Sequence, residues 1–406
     1  MTDVFVYYYV ESKDIEGAAI AIAKEQSTGT WTKVGYETSD IQKKYGAKIE
    51  EIDREKNIVE LSFPLDDFSL DKGGISNILS IVAGNLFGLK ELENVRLLDV
   101  DFPKEFVKQF KGPSFGISGV RKLVGTKNRP HLGTIVKPKI GLDPDSFADV
   151  CYEAAMGGVD FIKDDETLAN QVFCPIEERI SKVAEKLDLV KEETCRNILY
   201  SPNVTSDDIL ETAQIAVDNG ATALMIDVLT AGFPALRALN ENFDLPIHVH
   251  RTMHAAITKN PRHGIAMLVF SKLVRLAGGD QLHVGCAFGK MGSNAKAVNE
   301  NYDALRSEWF GLKTVFPVCS GGVHPLYVGG NLRASGTDII IQAGGGIHGH
   351  PLGTRKGAAA MRQAIDAFME GVSDVEYAED HEELRLAIEK WGEDEGLMGY
   401  RKMAGR

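Results

Sequence analysis

HLGTIVKPKIGLDPDSFADVCYEAAMGGVDFIKDDE, residues 131–166, decides the fold. It opens on a short apolar strand, passes through a helix and returns on a second strand. Asp143 followed by Pro144 reads as an N-cap with proline at the first helical position, and Gly157 sits just past the helix end. A strand–helix–strand unit of this length lays its two strands parallel in one sheet. The same rhythm continues toward the C-terminus in NILYSPNVT (197–205), TALMIDVLT (222–230), DLPIHVHRT (244–252), DQLHVGCAF (280–288), TVFPVCSGG (314–322) and DIIIQAGGG (338–346). Met361, Ile365 and Phe368 add an apolar stripe on a later helix. Counting the two strands of the opening stretch, eight such units predict a closed (β/α)8 TIM barrel, an α/β architecture.

The N-terminal part reads differently. VFVYYYV (4–10) opens as a strand, Ile15, Ala18, Ala19 and Ile22 recur at helical spacing, Ile58–Phe63 alternates, and Ile75–Leu86 reads as a buried helix. The expected division is a smaller α+β, ferredoxin-like domain over 1–115 and the barrel over 116–406. Turn residues in KGPSFGISGV (111–120) mark the break.

Composition narrows the function. The 406 residues carry 45 Lys+Arg against 58 Asp+Glu, a net charge of -13, which argues against nucleic acid and polybasic membrane contact as partners. No apolar run approaches the roughly 18 residues of a transmembrane helix. The opening MTDVFVYYYVESKD has neither the basic segment nor the cleavage site of a secretory signal. Cys151, Cys174, Cys195, Cys286 and Cys319 form no CxxC pair and are odd in number, so reduced thiols in a cytoplasmic protein are expected.

Barrel chemistry gathers at the C-terminal strand ends, and here those ends are rich in lysine and histidine. In FIKDDE, Lys163 and Asp165 face one way while Asp164 faces the other, and Glu166 follows at the strand end. A plain salt bridge is the simplest use of that set. The alternative needs a neutral lysine, whose amine adds carbon dioxide to become a carbamate. With Asp165 and Glu166 that would give three anionic oxygen ligands for a hard ion such as Mg2+. CSGG and AGGG, after the seventh and eighth strands, fall where barrels bind phosphate through backbone N–H groups. HVHR sets His248 and His250 on one face with Arg251 after them, as a proton-transferring histidine beside a phosphate-binding arginine would require. The HxH could also suggest zinc, but amidohydrolase barrels carry HxH on the first strand and the lysine on the fourth, not on the fifth and second. Asn203 and Asp227 read as strand-end helix caps, His254 as support, and Lys290 as either surface charge or a mobile lid residue. Gly344, Gly346 and Gly349 match GxGxxG only weakly, because Asp366 falls within a helix.

Taken in order, EQSTGTW (25–31), GNLFG (84–88), KPK (137–139), GGVDFIKDDE (157–166), HVHRTMH (248–254), GDQLHVG (279–285), GKM (289–291), SGGVHP (320–325) and GGG (344–346) resemble the large subunit of ribulose-1,5-bisphosphate carboxylase/oxygenase (Rubisco), in its archaeal, form III-like version. The resemblance implies carboxylation, with oxygenation, of ribulose 1,5-bisphosphate through an enediolate to 3-phosphoglycerate. It implies Mg2+ on Asp165, Glu166 and a carbamylated Lys163 that takes the C3 proton. Lys137 would assist enolisation, Lys139 support the metal site, His250 serve hydration, and Lys290, held by Glu25, meet the new carboxylate. Arg251, His283 and Ser320 would hold one phosphate. Thr30, Trp31, Lys137 and the amides of Gly321, Gly322, Gly344 and Gly345 would hold the other. Glu25, Thr30, Trp31 and Asn85 would act across a homodimer, or an assembly of dimers, with no small subunit.

Several positions depart from the usual pattern. Ile135 replaces the threonine of plant-type members, Cys286 replaces a threonine in the loop stem, and Gly292 replaces a glutamate. His348 is similar to Rubisco-like proteins, which enolise, isomerise or decarboxylate other sugar phosphates. That is the alternative reading, while a non-enzymatic sugar-phosphate sensor would have lost Lys163 or its acids.

Overall fold

The computed structural model describes residues 3–30, 32–69, 74–289 and 294–392. Trp31, Lys290 and Gly292 lie outside the described residues.

The first sheet combines β1 (Asp3–Glu11), β2 (Lys48–Asp53), β3 (Ile58–Pro64) and β4 (Asn94–Asp101) in the order β4-β1-β3-β2, all antiparallel. Helices Ile15–Glu25 and Gly74–Ala83 complete the βαββαβ order of a ferredoxin-like unit. Strict alternation in β1 buries Val4, Val6, Tyr8 and Val10 on one face, and the Tyr8 hydroxyl donates to the Val82 carbonyl at 2.7 Å. Neither β2 nor β4 stands out in the sequence. β2, read KIEEID, is an edge strand with mostly exposed residues and lacks the apolar face that marks β1.

The second sheet contains the eight expected strands, all parallel. They are β5 (His131–Ile135), β6 (Phe161–Lys163), β7 (Leu199–Ser201), β8 (Leu224–Asp227), β9 (Ile247–His250), β11 (Gln281–His283), β12 (Phe316–Cys319) and β13 (Ile340–Gln342). The short strand β10 (Gly264–Ile265) between them belongs elsewhere: it pairs with β4 of the first sheet. The barrel closes where β7 meets β8. There the Val204 N–H donates to the Met225 carbonyl and the Met225 N–H to that of Pro202.

Helix Pro144–Met156 has its expected cap, with Asp143 accepting from the Ser146 N–H. The KGPSFGISGV stretch is only partly turn, since Gly116–Val124 is a helix. Ile117, Val120 and Val124 pack on Phe161, Leu199, Phe316 and Ile340, sealing the N-terminal end of the barrel. The buried Asp280 carboxylate ties that floor helix down by accepting from the Phe115, Gly116 and Ile247 N–H groups. The floor is closed by apolar packing, so the polar groups of the strand ends collect at the opposite mouth.

Candidate active site

Lys163 ends β6 and is fully buried. Its Nζ donates to the Asp164 carbonyl at 2.8 Å, lies 3.4 Å from Met225 Sδ, and reaches Glu166 Oε2 only at 3.5 Å. Burial pushes the amine below the ordinary lysine range, although Glu166, Asp165 and Asp164 pull the other way. A simple surface salt bridge does not describe this group.

Asp165 is paired instead with Lys137, whose Nζ stands 2.5 Å from Oδ2, while Thr167 donates to Oδ1 from both its hydroxyl and its N–H. Burial works to raise the Asp165 pKa, but these donors outweigh it and hold the carboxyl below its usual value. Glu166 is likewise held low: burial opposes ionisation, and His250 and Lys163 more than compensate. Asp164 points away, as the alternation requires. Behind the barrel it accepts from Arg179, Tyr200 and the Asn203 N–H.

His250 lies between two acids, with Nε2 3.7 Å from Glu166 and Nδ1 3.4 Å from Asp227. Asp227 is therefore no helix cap. Its other oxygen accepts the Thr252 N–H at 2.6 Å, and no side-chain cap bond reaches the short helix that follows. Asn203 is no helix cap either: the next helix starts at Ile209 behind Asp208, the Asn203 Oδ1 accepts the Thr205 N–H, and its amide donates to the carbonyls of Glu166 and Leu168. His254 hydrogen-bonds Thr258, within its own turn.

Next to these, His283 Nδ1 is 2.7 Å from Ser320 Oγ and its Nε2 is 2.8 Å from His248 Nε2, so both ring nitrogens are engaged inside the protein. Arg251 forms no ion pair among the described residues, and burial lowers its pKa to about 10. An arginine kept charged without a carboxylate beside it is suited to an incoming anion. Gly321 and Gly322 both have positive φ, 122° and 76°. A Cβ on Gly344 would come within 3.1 Å of Lys137 Cε, so the glycine triplet and Lys137 share one corner of the mouth. Lys139 is exposed nearby. His348 bonds the Ile135 carbonyl and Thr354, bracing the same corner.

Glu25, Thr30 and Asn85 belong to the first sheet's side of the molecule. Asn85 donates to Glu25 at 3.2 Å, Thr30 is exposed, and none of the three is hydrogen-bonded to a barrel-mouth residue among those described.

A hard divalent ion can be tested against these groups. Among the described residues no three His, Cys, Asp or Glu side chains come together to hold a metal. Asp165 and Glu166 supply two anionic groups, and a third arises at Lys163 only once its amine becomes a carbamate. The buried amine with its lowered pKa meets that condition, so the residues fit the group.

The closed barrel, its lysine–carboxylate strand end and its glycine-lined mouth define an α/β-barrel enzyme with a second, ferredoxin-like domain. Residues 116–391 match the catalytic domain of the ribulose bisphosphate carboxylase large chain, and residues 1–106 match its N-terminal domain. The chain belongs to this family. It is 45% identical to a ribulose bisphosphate carboxylase of Methanocaldococcus jannaschii, over 94% of this chain and 95% of that one. Among solved structures, it resembles the octameric Rubisco of Pyrococcus horikoshii with a TM-score of 0.92 and 40% identity, covering 97% and 94% of the two chains. It also resembles the dimeric archaeal Rubisco of Hyperthermus butylicus with a TM-score of 0.87 and 39% identity, covering 96% of each chain.

Proposed function

We propose that the chain carboxylates ribulose 1,5-bisphosphate through an enediolate to give two molecules of 3-phosphoglycerate, the enediolate also being open to oxygen. The observation that carries this reading is the buried Lys163, its amine pushed below the ordinary lysine range and 3.5 Å from Glu166, at a strand end that also carries Asp165, in a barrel of this family. The Lys163 amine would add carbon dioxide and lose a proton, becoming a carbamate that with Asp165 and Glu166 holds Mg2+. That ion would polarise the sugar carbonyl and offset developing oxygen charge.

The chain's own groups do the rest. Lys137, held 2.5 Å from Asp165, would assist enolisation and the later protonation. The carbamylated Lys163 receives the C3 proton. His250, with Nδ1 toward Asp227, turns Nε2 to the site and takes a proton from the hydrating water. Arg251 supplies charge for one phosphate beside His283 and Ser320. Gly321, Gly322, Gly344 and Gly345 offer amides to the other, with Lys137, Thr30 and Trp31. Two anchored phosphates fix the carbon chain across the mouth. Lys290, held by Glu25, meets the new carboxylate, and Lys139 supports the metal site.

Glu25, Thr30, Trp31 and Asn85 would come from a partner chain, making a homodimer the smallest active unit, with no small subunit. The five unpaired cysteines suit a cytoplasmic, reducing compartment.

Fixation of labelled carbon dioxide tests the reading directly, using purified protein, Mg2+, bicarbonate and ribulose 1,5-bisphosphate without oxygen. Acid-stable label in 3-phosphoglycerate is expected. Proton exchange on another sugar phosphate without label would replace the carboxylase with a Rubisco-like enolase.

A further inference from the structure

Beneath the mouth, four side chains form one hydrogen-bonded row. Gln281 Oε1 lies 2.7 Å from His248 Nδ1, His248 Nε2 lies 2.8 Å from His283 Nε2, and His283 Nδ1 lies 2.7 Å from Ser320 Oγ. Strand register makes the row. Gln281 and His248 are paired residues of β11 and β9, and His283 follows Gln281 on the same face. Gln281 and His248 are fully buried and His283 nearly so.

We propose that Gln281 is a positioning residue that fixes, through His248 and His283, which way the Ser320 hydroxyl points. Two Nε2 atoms at hydrogen-bond distance must share one proton and one lone pair. Burial, reinforced by neighbouring positive groups, keeps both rings neutral. A neutral imidazole has one N–H and one lone pair, so each link dictates the next.

The Gln281 carbonyl oxygen only accepts, so His248 carries its proton on Nδ1. His248 Nε2 then accepts from the Nε2–H of His283, and His283 Nδ1 accepts from the Ser320 hydroxyl. The hydrogen of Ser320 thus points into the barrel, and its lone pairs face the mouth. Lone pairs suit a substrate hydroxyl and repel a phosphate oxygen. On the sugar-bisphosphate reading, on which this consequence rests, the nearby phosphate falls to Arg251, and Ser320 reads a hydroxyl on the carbon chain.

Gln281 Nε2 is buried without a hydrogen-bond partner among the described residues. An apolar side chain of similar size would avoid that cost. What the amide supplies is its acceptor.

The test joins a spectroscopic readout to kinetics. In substrate-free protein labelled with 15N-histidine, His248 should carry its proton on Nδ1 and His283 on Nε2. Gln281→Leu should mix these tautomers and raise the KM for ribulose 1,5-bisphosphate about tenfold, the worth of one oriented hydrogen bond, with a smaller change in kcat. Added to Ser320→Ala, it should raise KM no further, because both act through one hydroxyl. If Gln281→Leu does not fold, Gln281→Met serves in its place. The opposite tautomers, tautomers indifferent to residue 281, or additive KM effects would each overturn the inference. Absence of carboxylase activity in the unsubstituted enzyme would remove the proposed function and leave the tautomer result standing.

Discussion

Asp227 and His250 are register partners on β8 and β9, with the Asp227 Oδ2 atom 3.4 Å from the ring Nδ1. The carboxylate is buried, and its second oxygen is fixed by the Thr252 N–H. In the proposed mechanism it would hold the ring through Nδ1 and leave Nε2 turned to the mouth. Asp227→Asn keeps the Thr252 bond and can turn a donor toward Nδ1. We expect kcat to fall roughly 10- to 100-fold, the range of a hydrogen bond to a charged group, with KM little changed. Steady-state kinetics with saturating carbon dioxide decides it, and an unchanged kcat would remove Asp227 from the mechanism.

Activation by carbon dioxide should depend on pH through Lys163. Only the neutral amine adds carbon dioxide, and burial sets the folded pKa below the ordinary 10.5. The activation rate should therefore climb with pH and level off before that value. Rates of activation after preincubation at stepped pH measure this, and a midpoint at or above 10.5 contradicts it. Lys163→Ala should abolish both carbon dioxide-dependent Mg2+ binding and turnover.

Two neighbouring glycines should separate binding from folding. A Cβ on Gly346 would lie 2.2 Å from the Val323 carbonyl oxygen, whereas one on Gly345 meets no protein atom within 4 Å. Gly346→Ala should lower the melting temperature by several degrees. Gly345→Ala should leave it nearly unchanged and raise the KM for the bisphosphate, since the methyl enters open space at the mouth. Equal melting temperatures in the two variants would refute the contrast.

Much of this site is legible in the sequence because alternation along a strand is local. Lys163 and Asp164 take opposite faces, as FIKDDE predicts, and all eight barrel strands fall within the quoted segments. What stayed hidden depends on register between strands far apart in the chain. Asp227 looks like a cap until β8 is laid beside β9, and Gln281 looks like filler until it is paired with His248. β10, with two residues and no apolar pattern, is set entirely by its β4 partner.

Mixed dimers test the shared site. Glu25→Gln and Lys163→Ala should each be nearly inactive alone. Co-expressed, they should regain activity, because about half the sites in a mixed dimer would hold both native residues. Failure to complement, with mixed dimers verified by differential tags, would place Glu25 in its own chain's site.

Acid stability should track the buried histidines. Burial pulls His348 and His254 down to about 4 and His131 to about 3, all below their unfolded value of 6.5. Between those limits the unfolded chain binds more protons, so stability should fall as pH drops from about 6.5 toward 4. Urea midpoints at pH 7 and pH 4.5 measure the loss, and His348→Gln should lessen it. An identical loss in the variant would show that His348 does not contribute.

Ala266 donates its N–H to the Leu97 carbonyl, and Arg96 reaches the Thr258 and Asn260 carbonyls, so the excursion carrying β10 is laced onto β4. That excursion begins a few residues after Arg251. The small sheet cannot tilt without pulling on the segment that follows Arg251, the arginine proposed to hold a phosphate. In the proposed dimer, whose neighbour would borrow Glu25 from the end of the helix Ile15–Glu25 in the same small domain, the two mouths would be mechanically geared, and a ligand seated in one would be felt as tension at the other.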